Sequence, residues 1–324
     1  MKSISRFGLI LFLAVAAHTT LLAQSPIEQA KRIVFLGDSI TYDGKYIAIV
    51  ETELRLRDPK RQFEIIDIGL PSETVSGLSE DGHAGGQFPR PSLHERLDRV
   101  LAQLKPDLVV ACYGMNDGIY LPLAETRFTA YRDGIQLLRD KVAKVPAQII
   151  HVTPAVFDPV PIRARVAPAD KVTAGNPYQN YDEVLTEYSR WLVSKRADGW
   201  QVIDLHTRVQ ESLIDHRKSQ PEFTFSPDGV HPNLDGHFVM AIALLNGLEI
   251  SSATLSAIQP GYNDEKSKRG RLFKLIHQRQ RILTDAWLTK TGHLRPMKAG
   301  LPLDEAVAKS ETLNLSMHSI LQEP

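Results

Sequence analysis

Between positions 31 and 250 the chain alternates short, wholly apolar runs with longer stretches in which apolar residues recur every three or four positions. The first run, Ile33-Val34-Phe35-Leu36, mixes β-branched and aromatic residues and ends at Gly37-Asp38-Ser39. It reads as a strand buried on both faces and broken by a turn. The same pattern predicts strands near 32–36, 63–68, 107–113, 148–153 and 201–205, the fourth of them stopped by Pro154. Helical spacing falls near 44–57, 93–104, 125–143, 178–197 and 233–248. Strands alternating with helices point to an α/β fold whose parallel sheet is covered on both faces. Such a chain is expected to fold like flavodoxin, as a doubly wound, five-stranded sheet of order 2-1-3-4-5, an arrangement that the right-handed crossover rule makes geometrically natural. Strand one lies at its switch point, and ligands bind beyond the carboxyl ends of such strands.

The two ends of the chain read differently. Lys2 and Arg6 precede the apolar run from Leu9 to Ala17, and small residues end at Ala23. That run is far shorter than the roughly 20 residues a membrane-spanning helix needs. Residues 1–23 are therefore expected to be a cleaved signal peptide and the mature protein to be exported, periplasmic or extracellular. No cysteine lies near the cleavage region, so no stable membrane anchor is expected. From 266 to 290, Leu272, Leu275, Ile276, Ile282, Leu283, Ala286 and Trp287 fall at helical spacing, with Gly292 placed as a C-cap. A second helix follows from Leu303 to Leu321. The division expected is a domain over 24–250 and a C-terminal helical extension over 251–324 that packs on it. A basic amphipathic helix also suits a membrane surface, but here the apolar stripe is needed for packing.

Charge and cysteine content exclude several functions. The 38 basic and 38 acidic side chains become 36 and 38 once Lys2 and Arg6 leave with the leader, a net charge near −2. Nothing in that balance recruits nucleic acid or an anionic membrane. Cys112 stands alone inside a buried strand, so it forms no intrachain disulfide and reads as a core residue. His151 reads likewise, and His94, His206, His216 and His237 have no second ligand at metal-binding spacing, so no metal is expected. The phosphate-binding glycine patterns are missing as well, which leaves no expected cofactor. Oligomeric state has no signature in the sequence.

The candidate chemistry lies at the predicted strand ends. Ser39 sits where strand one turns into a helix, and on that stretch alone Asp38 or Ser39 reads more readily as a helix cap than as a reacting group. Asp228-Gly229-Val230-His231 places a carboxylate three residues before a histidine in a Pro- and Gly-rich turn. A serine hydroxyl needs a base to take its proton, and the base needs a group that fixes its tautomer. Gly69 ends the second strand, and Gly114-Met115-Asn116-Asp117 follows the third. A glycine N–H and an asparagine amide there are suitable donors to an oxyanion.

These four pieces, Gly37-Asp38-Ser39-Ile40, Gly69, Gly114-Met115-Asn116-Asp117 and Asp228-Gly229-Val230-His231, resemble the four blocks of the SGNH/GDSL hydrolase family, in the family's order and over roughly 31–247. The resemblance implies a serine esterase with Ser39 as nucleophile, His231 as general base and Asp228 orienting His231. It also implies an oxyanion hole made by the Ser39 N–H, the Gly69 N–H and Asn116. The second block departs from the family pattern, which often reads Asn-x-Gly or Arg-Gly where Asp67-Ile68-Gly69 stands here.

Two long loops leave the same rim. The loop 71–91 offers His83, Phe88 and Arg90 as a substrate wall, or else is a solvated loop with Arg90 in a surface ion pair. Asp38 and Asp117, inside the motifs, are further candidate substrate contacts. The loop 155–175 carries Phe157, Arg163 and Arg165. Polar rims on an exported chain favour a small-molecule or polysaccharide ester substrate, with short acyl groups removed from carbohydrate. A lysophospholipase or lipid esterase is the alternative, and would need an apolar trough along 155–169 or the C-terminal helices. A non-catalytic glycan-binding module would have no need of Ser39, Asn116, Asp228 and His231 together.

Overall fold

The computed structural model describes residues 25–173, 175–250 and 255–323, so the expected signal peptide lies outside them. Five strands, β1 (Arg32–Gly37), β2 (Glu64–Asp67), β3 (Leu108–Cys112), β4 (Gln148–Val152) and β5 (Gln201–Ile203), form one sheet of order β2-β1-β3-β4-β5. Every pairing is parallel, with Val34 aligned to Ile66 on one side and Val109 on the other. Continuous apolar sequence makes these strands because both faces are covered. Ile33, Val34, Phe35 and Leu36 are each 0% exposed, and burial of such side chains stabilises by about 1.5–3 kcal/mol apiece.

The helices in chain order are α1 (Pro26–Gln29), α2 (Ser39–Asp43), α3 (Lys45–Arg57), α4 (Leu93–Leu104), α5 (Glu125–Val142), α6 (Tyr181–Ser194) and α7 (Leu205–Arg217). They continue with α8 (Leu234–Gly247), α9 (Leu255–Asn263), α10 (Lys268–Thr291) and α11 (Leu303–Gln322). The helix expected at 44–57 is α3, and a short helix not expected there, α2, precedes it; Gly44, at φ +74, ends α2 and begins α3. Helix α7 has no counterpart among the expected elements, and takes over where strand five was expected to run to 205. Asp204 caps it by accepting from the Thr207 N–H, and only Leu205, Val209 and Leu213 form its apolar stripe. Among the described residues no helix is long and apolar enough to cross a membrane.

The C-terminal extension is seated on the sheet domain by polar contacts as well as apolar ones. Glu51 of α3, 0% exposed, accepts from Arg279 Nη2 at 2.5 Å and from Gln280 Nε2 at 2.8 Å, both on α10. Burial raises the Glu51 carboxyl, but Arg279 and Arg55 outweigh it and hold the group below the usual carboxylate range. Leu272 and Ile276 of α10 and Met317 and Ile320 of α11 enclose Ala48 of α3.

Candidate active site

The sequence brings Ser39 to the carboxyl end of the central strand for a local reason. Asp38 Oδ1 accepts from the Ile40 N–H at 2.9 Å and its carbonyl accepts from the Tyr42 N–H at 2.9 Å, which starts α2 at Ser39 itself. The Ser39 hydroxyl therefore projects from the first residue of a helix, whose first N–H groups have no intrahelical partner. Its Oγ lies 2.8 Å from His231 Nε2.

His231 arrives on a loop that carries its own support. Asp228 Oδ2 lies 2.7 Å from His231 Nδ1, while Oδ1 accepts from the backbone N–H groups of Val230 and His231 at 2.9 and 2.7 Å. Gly229, at φ +87, permits the turn, and the close packing of Ile162 leaves no room there for a Cβ. The Asp158 N–H holds the Gly229 carbonyl at 2.8 Å, and the Asp158 carboxylate is itself gripped by Arg217 and Thr224. Hydrogen bonding to Asp228 raises the His231 pKa above that of an ordinary imidazole. Burial opposes ionisation of Asp228, yet the His231 ring and the two N–H groups hold it well below the usual carboxylate range. Both side chains remain 50% exposed, so the pair opens to solvent.

The second block differs from expectation. The Gly69 N–H donates to Asp67 Oδ1 at 2.8 Å, so it is not a free donor to a developing oxyanion. Glycine is needed there for packing, since a Cβ would fall 2.4 Å from Tyr42 N and 2.9 Å from the Asp38 carbonyl. Beyond it, Leu70 to Glu73 make a turn closed by the Glu73 N–H on the Leu70 carbonyl at 3.1 Å, with Ser72 at φ +67. The Ser72 N–H has no hydrogen-bond partner among the described residues. The next carbonyl, that of Glu73, accepts from Asn116 Nδ2 at 3.2 Å, which sets the turn beside the Asn116 amide.

Asn116 is held from three sides. Besides Glu73, its Oδ1 accepts from Arg90 Nη1 at 2.9 Å and from the Tyr120 hydroxyl at 3.2 Å. One Nδ2 hydrogen is left over. Tyr120 and its predecessor Ile119 both adopt left-handed backbone, at φ +58 and +47, a strained state for a bulky or β-branched residue that costs about 1–3 kcal/mol each. Arg90 corrects the expectation of a substrate contact: it is only 8% exposed, and its Nε and Nη2 are both 2.6 Å from Glu80. Its remaining nitrogen, Nη1, is the one spent on Asn116. Glu73, buried at 0%, binds Arg96 Nε at 2.6 Å and the Tyr113 hydroxyl at 2.6 Å beneath this turn.

Asp38 and Asp117 are also corrected. Both are buried, the first as the cap of α2 and the second accepting from the Ser76 N–H at 2.8 Å, and burial pushes each carboxyl up to about 6. The adjoining cleft meets the site at Asp228 and Val230. His83 lines it, with Nδ1 3.2 Å from Glu80 Oε1 and its ring edge-on to Phe88. The cleft, about 480 Å³, runs from Asp228 between the loops 80–90 and 157–177, past Tyr120, Phe157 and Arg165. Arg163 pairs instead with Glu222 at 2.8 Å. Glu73, Glu80, Ser72 and Tyr120 were not singled out by sequence. The only signals for them were charges within otherwise structural stretches and an aromatic four residues after Asn116. Among the described residues no group of three or more His, Cys, Asp or Glu side chains is arranged to hold a metal.

The profile of the GDSL-like Lipase/Acylhydrolase family matches residues 35–238. Among solved structures the chain is similar to a gut microbial diltiazem-metabolizing enzyme, at 20% identity and a TM-score of 0.52, covering 68% of this chain and 47% of that one. It is also similar to a catalytic mutant of an acetylxylan esterase from Geobacillus stearothermophilus, at 20% identity and a TM-score of 0.50, covering 68% of this chain and 95% of that one. The chain thus spans about half the length of the first and nearly all of the second. At such identities the likeness is one of fold. No curated protein matches the sequence.

Proposed function

The chain belongs to the GDSL-like lipase/acylhydrolase family and is a carboxylic ester hydrolase, and from that premise we propose that it works through a Ser39 acyl-enzyme and removes short acyl groups, acetyl foremost, from carbohydrate. The observation that carries the mechanism is the relay of two short contacts, 2.8 Å from Ser39 Oγ to His231 Nε2 and 2.7 Å from His231 Nδ1 to Asp228 Oδ2. His231 takes the Ser39 proton as Oγ attacks the ester carbonyl, and Asp228 holds the ring in the tautomer that leaves Nε2 free to accept. The oxyanion develops against the Ser39 N–H, the spare Asn116 amide hydrogen and the Ser72 N–H, the last standing where Gly69 was expected. His231 then gives the proton to the departing alcohol. Water attacks the acyl-enzyme by the same route and frees the acid.

The carbohydrate reading rests on the cleft. It far exceeds an acetyl group, and Asp81, His83, Arg165 and Asp228 set charged and titratable groups among Tyr120, Phe157 and Ile162 on its walls. Hydroxyl-rich rings use such a lining, while a fatty chain would leave it unpaired. None of the lining residues comes from α10 or α11, so the C-terminal helices supply no trough; the loop 155–169, the other place where a lipid esterase was expected to have one, contributes Phe157 and Ile162 together with the charged Arg165. The acetylxylan esterase with the same fold is consistent with an acetylated glycan. Export is part of the proposal and rests on the leader-like segment 1–23; N-terminal sequencing of protein recovered outside the cytoplasm, beginning near Gln24, checks it.

The test is initial rates on p-nitrophenyl acetate, butyrate, octanoate and palmitate, beside acetate release from acetylated xylan and pectin, with Ser39→Ala as control. Ser39-dependent release confined to short chains and acetylated glycans is expected. A rate that rises toward palmitate moves the substrate to lipid esters, and absence of any Ser39-dependent rate refutes the acyl-enzyme.

A further inference from the structure

Helix α2, which carries Ser39 at its first residue, has five residues and cannot hold its shape unaided. Its N-terminal end is fixed by Asp38. Its C-terminal carbonyls are completed by a helix outside the residues that match the family, α10 of the C-terminal extension. Three α10 side chains spaced four residues apart, hence on one helix face, make these contacts. His277 Nε2 lies 2.9 Å from the Asp43 carbonyl. Arg281 Nη1 donates to the Tyr42 carbonyl, and its guanidinium lies 3.9 Å over the Tyr42 ring. Asp285 Oδ1 accepts from the Tyr42 hydroxyl at 2.9 Å and from Arg281 Nη2 at 3.2 Å, closing a three-membered network. The Arg281 charge stands at the negative end of the α2 dipole, where a cation is favourable.

We propose that α10 is a positioning element for the nucleophile, with Arg281 as its main positioning residue and His277 and Asp285 as its supports. The inference rests on Ser39 being the nucleophile. The Ser39 Oγ and N–H move together on α2, so a displaced helix loses aim at both the substrate carbon and the oxyanion. The buried contacts of Arg279 and Gln280 with Glu51 anchor α10 next to Arg281, so the clamp is built on a fixed base.

The experiment uses the full mature chain as wild type, Arg281→Ala, Arg281→Lys, Arg271→Ala and Ser39→Ala. Arg271, on the same helix as Arg281, pairs with Glu323 and touches nothing in α2. Active sites are first counted by stoichiometric labelling with a fluorophosphonate. Then kcat and KM on p-nitrophenyl acetate and the rate constant of fluorophosphonate inactivation are measured per titrated site. Arg281→Ala is expected to lower kcat and the inactivation rate roughly 10- to 100-fold with KM within about twofold, the scale of a small misplacement of reacting atoms. Arg281→Lys, which keeps the charge and one donor, is expected to recover part of the loss, and Arg271→Ala to keep wild-type kcat per site. A role in stability alone would lower the titrated fraction or Tm and leave kcat per site unchanged in both Arg281 variants; that result overturns the proposal. If Arg281→Ala does not fold, Arg281→Lys decides: wild-type kcat and inactivation rate per site overturn it. Wild-type turnover in Ser39→Ala would instead overturn the acyl-enzyme reading and the clamp with it.

Discussion

Asp228→Asn isolates the tautomer-setting role of the carboxylate, because the substitution keeps the shape of the loop. The introduced amide would retain Oδ1 and with it the contacts to the Val230 and His231 N–H groups, now 2.9 and 2.7 Å. Its NH₂ would face His231 Nδ1, now 2.7 Å from Oδ2, and a donor there requires Nδ1 to accept. The ring proton then sits on Nε2, pointing at Ser39 Oγ 2.8 Å away, so the nitrogen that must take the serine proton is blocked. A fully enclosed carboxylate of this kind is worth roughly 10,000-fold in kcat, and the 50% exposure of this pair lets water offer the Nδ1 side an alternative partner. The expected loss is accordingly about 1,000- to 10,000-fold, or about 4–5.5 kcal/mol at 1.36 kcal/mol per decade. Hydrogen bonding to Asp228 is also the largest cause of the raised His231 pKa, so the acid limb of kcat/KM lies above the ordinary imidazole value in wild type and moves to lower pH in the variant. The assay is kcat and kcat/KM on p-nitrophenyl acetate from pH 5 to 9, with Tm as a check on the fold. A loss below about tenfold with Tm unchanged would refute the orienting role and leave a Ser39–His231 dyad.

Asn116→Ala removes one oxyanion donor and is expected to cost about 100- to 1,000-fold in kcat with little change in KM, read from steady-state rates. Arg90→Met releases Asn116 Oδ1 from one of its two donors while Tyr120 stays, so a kcat loss smaller than that of Asn116→Ala is expected, together with a lower Tm because Glu80 keeps only His83 as a side-chain partner among the described residues. Ser72→Gly relieves the left-handed strain at φ +67 and keeps the N–H, so the urea midpoint should rise by the equivalent of about 0.5–1 kcal/mol with activity retained. Burial pushes Asp67 up to about 7 in the folded chain against 3.8 for the free group, so the native state holds a proton that the unfolded chain has lost. Stability from this group is full below about pH 4 and falls as pH rises to 7; Asp67→Asn should therefore raise Tm more at pH 8 than at pH 5, and an equal rise at both would refute the assignment.

Strands β1 and β3 were legible because burial on both faces makes them unbroken apolar runs, and the sheet order followed from the alternation of strands with helices read as a flavodoxin-like winding. Helix α7 was not, because three apolar residues in its stripe leave a weak period within an otherwise polar stretch. Ser39, Asn116, Asp228 and His231 were legible as letters in short motifs, and local turns are enough to bring Asp228 to His231. Gly69 misled because a glycine supplies either a free N–H or room for a neighbour, and only the approach of Tyr42 and Asp38 shows that packing is the reason here. Asp38 and Asp117 misled in the same way, since a carboxylate beside a nucleophile looks chemical until its burial is known. Arg90, Glu80 and Tyr120 meet Asn116 from separate segments, a meeting that no local spacing encodes.

The loop that carries His231 has a consequence for how this enzyme can change over time. Base and carboxylate lie three residues apart, and the carboxylate also ties the backbone between them, so the pair is a self-contained cassette. The contacts between base and carboxylate lie within four residues, and the chain from β5 through α7 meets the loop through Arg217, which grips the Asp158 that holds the Gly229 carbonyl. Insertions and deletions in that stretch leave the proton relay intact so long as Arg217 still reaches Asp158 and the spacing to Ser39 is kept, while the cleft walls are set by the loops 80–90 and 157–177. Ser39 has no such independence, being framed by Asp38, by the Gly69 packing and by a helix more than 200 positions away. Diversification of the substrate range should therefore accumulate in the loops 80–90 and 157–177, while the surroundings of the serine stay constrained as a block.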